Sequence, residues 1–334
     1  MSNSQKILID KWGRQMDYLR IAVTDRCNLR CFYCMPAEGI DYLPKKELMT
    51  YEEILRATSL FRDLGVNKVR ITGGEPFLRK GLINFLKELK TIKGLEKVHI
   101  TTNGVLTAQY IEDLKRIGID GVNLSIDSID KENFKKITRR DEFDNVFSCL
   151  QKLIEADIHT KLNVVVMKGK NEHEIPAIAE LAKHRNIHVR FIEEMPFNGS
   201  DYSTSDIWNH QQIIHSLESN FKTIERDITP KNDPATLYQI KGHEGKIGVI
   251  PAFSRTFCGT CNRIRMTALG TIKNCLYDDG VLDIKQLMRT GEKDESIKSE
   301  LMRISMQKAQ NGHQAEAARK NTKVIGESMS TIGG

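Results

Sequence analysis

The chain has 334 residues, of which 40% are hydrophobic and 28% are charged, and its formal net charge at pH 7 is +6. This composition excludes a disordered chain, and no apolar run is long enough to cross a bilayer. The polar start, Met1 to Lys6, lacks the apolar core of a secretory signal, so we expect a cytoplasmic protein with no membrane partner. The basic excess is spread out and is not interleaved with aromatic residues, so nothing indicates binding to nucleic acid.

Six short runs rich in β-branched residues predict buried strands. They are Leu19 to Val23, Lys68 to Thr72, Lys97 to Thr102, Gly121 to Ile126, Lys161 to Met167 and Val189 to Glu193. Stretches with helical spacing lie between them, namely Tyr51 to Leu64, Leu82 to Ile92, Thr107 to Ile117 and Glu172 to Arg185. This alternation predicts an α/β fold with a parallel sheet, and six units suit a partial (β/α)6-type TIM barrel rather than a complete barrel of eight.

The alternation stops after about Phe197, where a polar stretch and a helix-like segment ending at Phe221 follow. Residues 231–234 have the composition of a linker. We therefore predict a core formed by residues 1–235. Residues 236–334 form a C-terminal region whose cysteine-containing extension completes the mouth of the barrel.

Polar and glycine-rich segments follow four of the predicted strands. Gly73 to Pro76 follow the second, Thr101 to Gly104 the third, Ser125 to Asp127 the fourth, and Glu193 to Met195 the sixth. Parallel α/β sheets bind ligands at the carboxyl ends of their strands, so we expect these segments to form one site. The Gly-Gly pair is either a tight turn or a loop whose main chain approaches a ligand.

Six of the seven cysteines fall into two groups of three. Cys27, Cys31 and Cys34 have the spacing C-x3-C-x2-C directly after the first predicted strand. Three thiolates on one loop can hold an iron-sulfur cluster and leave one iron open to a ligand. On the spacing alone, the alternatives are a zinc site completed by a distant histidine, or cysteines that pack as small apolar residues.

Cys258, Cys261 and Cys275 form the second group, again with no histidine close in sequence. These three residues predict either a second cluster or a three-cysteine zinc site. Arg263 and Arg265 would lie on one side of an extended segment, where guanidinium groups can bind phosphate oxygens in pairs.

Three other segments carry weaker signals. Cys149 lies among apolar residues and is best interpreted as part of the core. Lys308 to Ser330 are basic and polar, and we expect this segment to be disordered until a ligand binds. The chain ends in Gly333 and Gly334, which by themselves are typical of a frayed end.

The segment Cys27 to Cys34 (CNLRCFYC) resembles the signature of the radical S-adenosylmethionine superfamily. Within that superfamily the whole chain is similar to the GTP 3′,8-cyclase family, which acts first in molybdenum cofactor biosynthesis. Asp25-Arg26, Met35-Pro36, Ile71 to Pro76, the second trio and the Gly-Gly end also carry the resemblance. It implies two [4Fe-4S] clusters, one on each cysteine trio, and S-adenosylmethionine bound to the first.

The resemblance also implies which residues hold each ligand. For S-adenosylmethionine they are Tyr33, Gly74, Ser125 and Met195, and for GTP they are Arg20, Arg70, Thr101, Lys161, Arg263, Ile264 and Arg265. Glu75 would orient the ammonium group of the cofactor, and the Gly333-Gly334 tail would assist inside the cavity. No side chain is a clear general base, so catalytic side chains stay unassigned.

The implied reaction cleaves S-adenosylmethionine reductively to a 5′-deoxyadenosyl radical, which removes the 3′ hydrogen of GTP before the ribose closes onto carbon 8 of the guanine. An electron donor such as a flavodoxin or ferredoxin and a next enzyme, cyclic pyranopterin monophosphate synthase, are the implied partners of a monomer or homodimer. A radical peptide maturase with an auxiliary cluster and a non-catalytic zinc-binding module are the alternatives. Only three cysteines in the C-terminal region, together with Arg263 and Arg265, favour the nucleotide substrate.

Overall fold

A sheet of 12 strands organises the part of the chain that the computed structural model describes, which is residues 7–195, 207–319 and 329–332. The strands are β1 (Tyr18–Ala22), β2 (Lys68–Thr72), β3 (Lys97–Thr102), β4 (Gly121–Ser125), β5 (Thr160–Val166), β6 (His188–Glu193), β7 (Ile224–Arg226), β8 (Thr236–Ile240), β9 (Lys246–Ile250), β10 (Arg263–Met266), β11 (Thr271–Lys273) and β12 (Leu282–Asp283). The helices are α1 (Tyr51–Asp63), α2 (Leu82–Lys90), α3 (Ile111–Ile117), α4 (Lys131–Thr138), α5 (Phe143–Glu155), α6 (Ile175–Ala179), α7 (His210–Asn220), α8 (Ile284–Arg289), α9 (Asp294–Ser305), α10 (Gly312–Ala317) and α11 (Met329–Ile332). Among these helices, none is long and apolar enough to span a membrane.

Eight neighbouring strands of the sheet are parallel, in the order β10-β1-β2-β3-β4-β5-β6-β9. The pairs β11-β12 and β8-β7 continue the two edges in antiparallel fashion. No pairing between described strands joins β9 to β10, so the barrel is open and the prediction of a partial (β/α)6-type barrel is confirmed. Strands from the C-terminal region extend both edges of the core. The boundary near residue 235 stays a prediction, because the sheet runs across it.

The six predicted strands match β1 to β6 to within one residue at each end. Buried parallel strands read as continuous β-branched runs, which is why the sequence locates them well. The helices agree less closely. The predicted helix at 172–185 is only α6, flanked by 3-10 turns at Glu172–Glu174 and Glu180–Ala182, and the structure adds α4 and α5 between β4 and β5.

Three sequence predictions outside the core have different outcomes. Cys149 is fully buried in α5 and belongs to the core, as predicted. The predicted linker at 231–234 is a packed loop, because the Asp233 carboxylate accepts a 2.8 Å hydrogen bond from the Arg190 guanidinium. The prediction of disorder after Lys308 is wrong for residues 308–319, where Lys308 is buried and α10 is capped by Asn311. The polar stretch up to residue 206 lies mostly outside the described residues.

Side-chain alternation along the strands separates the core from the barrel interior. In β5, Leu162 and Val164 belong to the core, whereas Asn163 and Val165 face the interior cavity. Consecutive strand residues point to opposite faces, so Lys161 lies on the interior face as well. The register places the interior residues of neighbouring strands side by side, and this positions the site described next.

Candidate functional site

The cysteines of both trios line a single cavity of about 320 Å³ at the carboxyl ends of the parallel strands. Residues from both edges of the open sheet and from the C-terminal region contribute to its wall. All seven cysteines are described, and none forms a disulfide. The fold therefore brings two groups of thiols that are far apart in sequence to one ligand-sized space.

The loop that carries the first trio is anchored to the end of α4, a helix that the sequence analysis did not predict. Main-chain N–H groups of Arg30 and Phe32 donate to the carbonyls of Thr138 and Ile137 at 2.9 and 3.2 Å. Within the loop, the N–H of Cys34 donates to the Cys31 carbonyl at 2.9 Å, which forms a tight turn between two of the thiols. Main-chain hydrogen bonds therefore hold this loop in place independently of any bound ligand.

Burial and nearby acids raise the pKa of two thiols of the first trio. Burial, followed by the charge of Glu75, raises the pKa of Cys27 to about 11. Burial, followed by the charge of Asp127, raises the pKa of Cys31 well above its ordinary value. Metal ligation requires thiolates, so a cationic metal group has to supply the compensating charge here.

Gly73 and Gly74 let the loops after β1 and β2 lie side by side. A Cβ atom on Gly74 would come within 2.2 Å of the Arg26 carbonyl oxygen, and one on Gly73 within 2.3 Å of the Thr24 carbonyl oxygen. Gly73 also has a φ of 134°, which side-chain-bearing residues rarely adopt. Both glycines line the cavity, so their main chain is available to a ligand.

Glu75 has a different set of partners from the one that the resemblance implied. Its buried carboxylate accepts hydrogen bonds from Thr102 Oγ1 at 2.8 Å, from Asn103 N at 2.7 Å and from Phe77 N at 3.1 Å. It is not among the residues that line the cavity. Asn103, held in this way, directs its amide to the Cys27 sulfur at 3.6 Å. Glu75 therefore joins the loop after β3 to the first trio.

A hairpin of β10 and β11 brings the second trio together. Cys261 precedes β10 and Cys275 follows β11, and the two strands pair antiparallel with Arg265 opposite Lys273. Burial raises the pKa of Cys261, but the charges of Arg263 and Lys308 outweigh it and lower that pKa to about 5. The charges nearest Cys261 are thus basic, whereas those nearest Cys27 and Cys31 are acidic.

Five arginines on the strands of the sheet line the same cavity, three of them buried and two half-buried. They come from β1, β2, β6 and β10, and are Arg20, Arg70, Arg190, Arg263 and Arg265. The register sets Arg20 directly between Arg70 and Arg265. The Asp233 carboxylate forms an ion pair with this array, on Arg190.

The positive charges of these five arginines repel one another, which is electrostatically unfavourable. Burial, followed by the charge of Arg265, holds the pKa of Arg20 well below its ordinary value. Burial and Arg70 lower the pKa of His99 to about 2, so this histidine is neutral. The Nε atoms of Arg20, Arg70 and Arg190 are buried and have no hydrogen-bond partner in the described part of the chain. Because uncompensated buried charge is unfavourable, the array fits a polyanionic ligand.

Neutral polar groups beside the arginines are also left without protein partners. Thr101 Oγ1, both amide atoms of Asn123 and Asn163 Oδ1 are buried and lack a hydrogen bond to any described residue. All three residues line the cavity, and the register pairs Thr101 with Asn123. Their side chains can form hydrogen bonds with a sugar or a base. The sequence analysis did not predict a role for the two asparagines.

Most of the predicted site residues line the cavity. These are the six trio cysteines, Tyr33, Gly74, Ser125 and Met195, and Arg20, Arg70, Thr101, Arg263 and Arg265. Ile264 is the exception in β10, since its side chain packs in the core and it is not part of the cavity wall. Gly333 and Gly334 lie outside the described residues. Met329 and Ser330, shortly before them, line the cavity.

Lys161 lies on the interior face of β5 but not in the cavity wall. Burial, followed by the charge of Arg190, lowers its pKa to about 7. Lys161 is therefore charged below pH 7 and neutral above it.

If Lys161 contacts the triphosphate, the affinity for GTP should weaken about tenfold between pH 7 and pH 9, as one charge-assisted contact is lost. Equilibrium dialysis with labelled GTP measures this, and Lys161→Met should bind weakly with no such decline. The same decline in the variant would exclude Lys161.

The donor chemistry of the two cysteine trios fits iron-sulfur clusters. A zinc site needs ligands that converge on one centre, whereas a four-iron cluster takes each thiolate at a separate iron. Three thiols per trio, facing a common cavity, match the second requirement.

Two family models cover most of the chain. Residues 21–182 match the radical SAM superfamily, and residues 187–314 match the family described as Molybdenum Cofactor Synthesis C. The first match contains the loop of Cys27, Cys31 and Cys34, and the second contains the hairpin of Cys261 and Cys275. The two halves of the cavity thus correspond to the two matched families.

Curated relatives agree with these matches along the full chain. A GTP 3′,8-cyclase of Desulforamulus reducens is 38% identical over 98% of this chain and 100% of its own length. A GTP 3′,8-cyclase of Thermodesulfovibrio yellowstonii is 39% identical over 97% of this chain and 99% of its own length. Molybdenum cofactor biosynthesis protein 1 of Drosophila melanogaster is 38% identical over 93% of this chain, which spans 55% of that longer protein.

Solved structures support the fold. SuiB of Streptococcus suis superposes with a TM-score of 0.60 over 89% of this chain and 67% of SuiB, at 13% identity. SuiB bound to S-adenosylmethionine gives a TM-score of 0.58 over 86% of this chain and 69% of SuiB. At such low identity this likeness concerns architecture alone. The family matches and the full-length relatives show that the chain belongs to the GTP 3′,8-cyclase family of the radical SAM superfamily.

Proposed function

We propose that this enzyme converts GTP into (8S)-3′,8-cyclo-7,8-dihydroguanosine 5′-triphosphate, the first step of molybdenum cofactor biosynthesis. The observation that carries this proposal is that both cysteine trios and the five strand arginines line one cavity. The centre that would cleave S-adenosylmethionine and the site that would bind a polyanion therefore lie in the same cavity. The family membership supports both the reaction type and the nucleotide substrate.

The first trio and its neighbours form the cofactor end of the cavity. Cys27, Cys31 and Cys34 would hold a [4Fe-4S] cluster, with S-adenosylmethionine bound against Tyr33, Gly74, Ser125 and Met195. When bound, these groups supply one-electron cleavage to a 5′-deoxyadenosyl radical that takes the 3′ hydrogen of GTP. Tyr33 is held in place by its hydroxyl, which donates to Asp127 Oδ2 at 2.7 Å. Tyr33 forms part of the cavity wall at this end.

The second trio and the arginines form the substrate end. Arg20, Arg70, Arg263 and Arg265 would bind the triphosphate, whose negative charge would offset the repulsion among these guanidinium groups. Cys258, Cys261 and Cys275 would hold a second [4Fe-4S] cluster that faces the guanine. Thr101 and Asn123 would orient the nucleoside through their unused polar atoms.

The alternative functions receive less support from the structure. The likeness to SuiB concerns the fold alone, and a peptide substrate gives no reason for an array of five arginines in the cavity. A zinc-binding module gives no reason for this array either.

We further propose the cellular setting that the sequence suggested. Cluster ligands must remain reduced thiols, and a cytoplasmic location provides this. The reaction consumes electrons, so a flavodoxin or ferredoxin is the expected donor. The expected consumer of the product is cyclic pyranopterin monophosphate synthase. The enzyme would act as a monomer or homodimer, with residues 1–235 as core and residues 236–334 as the region that carries the second cluster.

Metal content tests the two-cluster proposal. Protein purified without oxygen should contain about eight irons and eight sulfides per chain and no zinc. Replacing Cys258, Cys261 and Cys275 together with alanine should leave about four irons, on the first trio. Zinc in place of iron in the parent protein would contradict the proposal.

A further inference from the structure

Lys308 is a buried lysine directly behind the second cysteine trio. It lies after α9 and is 3% exposed. Its Nζ donates to the carbonyl oxygen of Arg263 at 2.7 Å and to that of Asn274. Arg263 is two residues after Cys261, and Asn274 is directly before Cys275. One ammonium group therefore ties together the two backbone segments that carry these cysteines.

The N-terminal turn holds the third cysteine segment from the same side. Arg14 Nη1 donates to the carbonyl of Cys258 at 2.8 Å and to that of Gln310 at 2.7 Å. Arg14 is itself fixed by the buried Asp10 carboxylate at 2.6 Å. Trp12 Nε1 donates to the Lys308 carbonyl at 3.1 Å. All three cysteine segments are thus held from outside the cavity by Arg14 and Lys308.

The positive charge of Lys308 has no carboxylate ion pair among the residues described. Asp278 is close enough to interact electrostatically, but its carboxylate accepts from the N–H groups of Cys275 and Gly280 at 2.7 and 2.9 Å. Arg263, beside Lys308, adds a second positive charge rather than compensating the first. A buried ammonium is costly without a counter-charge, and three thiolates on a cluster would supply one.

The first trio has the opposite environment. Its charged neighbours include the buried acids Asp127 and Glu75, with the Arg30 guanidinium on the main-chain carbonyl of Cys27 at 2.7 Å. The potential of an iron-sulfur cluster depends on net charge and hydrogen bonds around it, and nearby positive charge favours the reduced state.

We propose that Lys308 is a positioning residue whose buried ammonium orders the second trio and raises the reduction potential of the cluster held there above that of the first cluster. This inference rests on the second cluster of the proposed function. It assigns the second cluster the role of electron acceptor relative to the first.

The test is a reductive titration of the holoenzyme followed by electron paramagnetic resonance. The signal that changes when S-adenosylmethionine is added marks the first cluster and serves as the internal reference. Lys308→Met should keep about eight irons and shift only the second midpoint potential to a more negative value. Lys308→Arg should stay at the parent value. Lys285→Met is the matched control, because Lys285 also donates to a main-chain carbonyl, that of Glu47 at 2.7 Å, but at the surface.

An unchanged second potential in Lys308→Met, with iron content intact, would overturn the inference. If that variant loses the second cluster, Lys308→Gln takes its place, since glutamine keeps a donor without the charge. A glutamine variant at the parent potential, or loss of the cluster from the Met, Gln and Arg variants alike, would exclude a role for the charge. If Lys308→Arg alone retains the second cluster, and its potential equals that of the parent enzyme, the result would support a role for the charge. A parent enzyme with only about four irons would instead contradict the proposed second cluster.

Discussion

Replacing Cys27, Cys31 and Cys34 together with alanine is expected to abolish cleavage of S-adenosylmethionine and formation of the cyclised nucleotide. The loss should be at least about 1,000-fold, as expected when an essential reactive centre is removed. Iron content should fall from about eight to about four per chain, because the second trio is carried by a separate hairpin. Iron and sulfide analysis, with chromatography of 5′-deoxyadenosine, measures both effects.

The matched control is Cys149→Ala, which removes a thiol that is fully buried in α5 and outside the cavity wall. It should lower the free energy of unfolding by about 1 kcal/mol through a small cavity and leave iron content and activity unchanged. Cleavage of S-adenosylmethionine that persists in the triple variant would contradict the assignment of the first trio.

Replacing Arg20 with methionine should have opposite effects on catalysis and on stability. Arg20 lies between Arg70 and Arg265, and its buried Nε has no partner among the described residues. Loss of its charge-assisted contacts with the triphosphate should lower kcat/KM for GTP about 100-fold, which is close to 3 kcal/mol. In the absence of GTP, removal of an uncompensated buried charge should raise the thermal unfolding temperature by about 2 °C or more.

Steady-state kinetics and differential scanning calorimetry of the ligand-free protein check these two effects. Arg56→Met is the control, because Arg56 is exposed on α1 and pairs with Asp294 at 2.6 Å. It should change neither quantity appreciably, as surface ion pairs contribute little. A lower unfolding temperature in Arg20→Met would mean that the arginine array stabilises the fold and is not a site kept ready for an anion.

The sequence was sufficient to predict the features that depend on residues close together in the chain. Buried parallel strands show themselves as β-branched runs, so β1 to β6 were predicted almost to the residue. The spacing C-x3-C-x2-C places three thiols on one loop whatever the tertiary structure. Arg263 and Arg265 were placed on one face because strands alternate with a period of two.

Groups that depend on distant partners were not predictable in this way. Asp233 read as part of a linker, and only the fold places it against Arg190, which lies on β6. Lys308 read as part of a polar segment, and its two carbonyl acceptors lie on either side of a hairpin that the sequence did not indicate. The acidic residue of the Gly-Gly-Glu-Pro segment suggested a ligand contact, whereas its carboxylate is held by Thr102 and Asn103. Whether a carboxylate is already occupied by hydrogen bonds within the protein can be seen only in the three-dimensional structure.

The measurement that tests the central claim most directly uses GTP carrying deuterium at the ribose 3′ position. Enzyme loaded with about eight irons is incubated without oxygen with this GTP, S-adenosylmethionine and a reductant, and the products are analysed by mass spectrometry. We predict deuterium in 5′-deoxyadenosine and a 3′,8-cyclised nucleotide that has lost it. Unlabelled 5′-deoxyadenosine with GTP left unchanged would contradict the account.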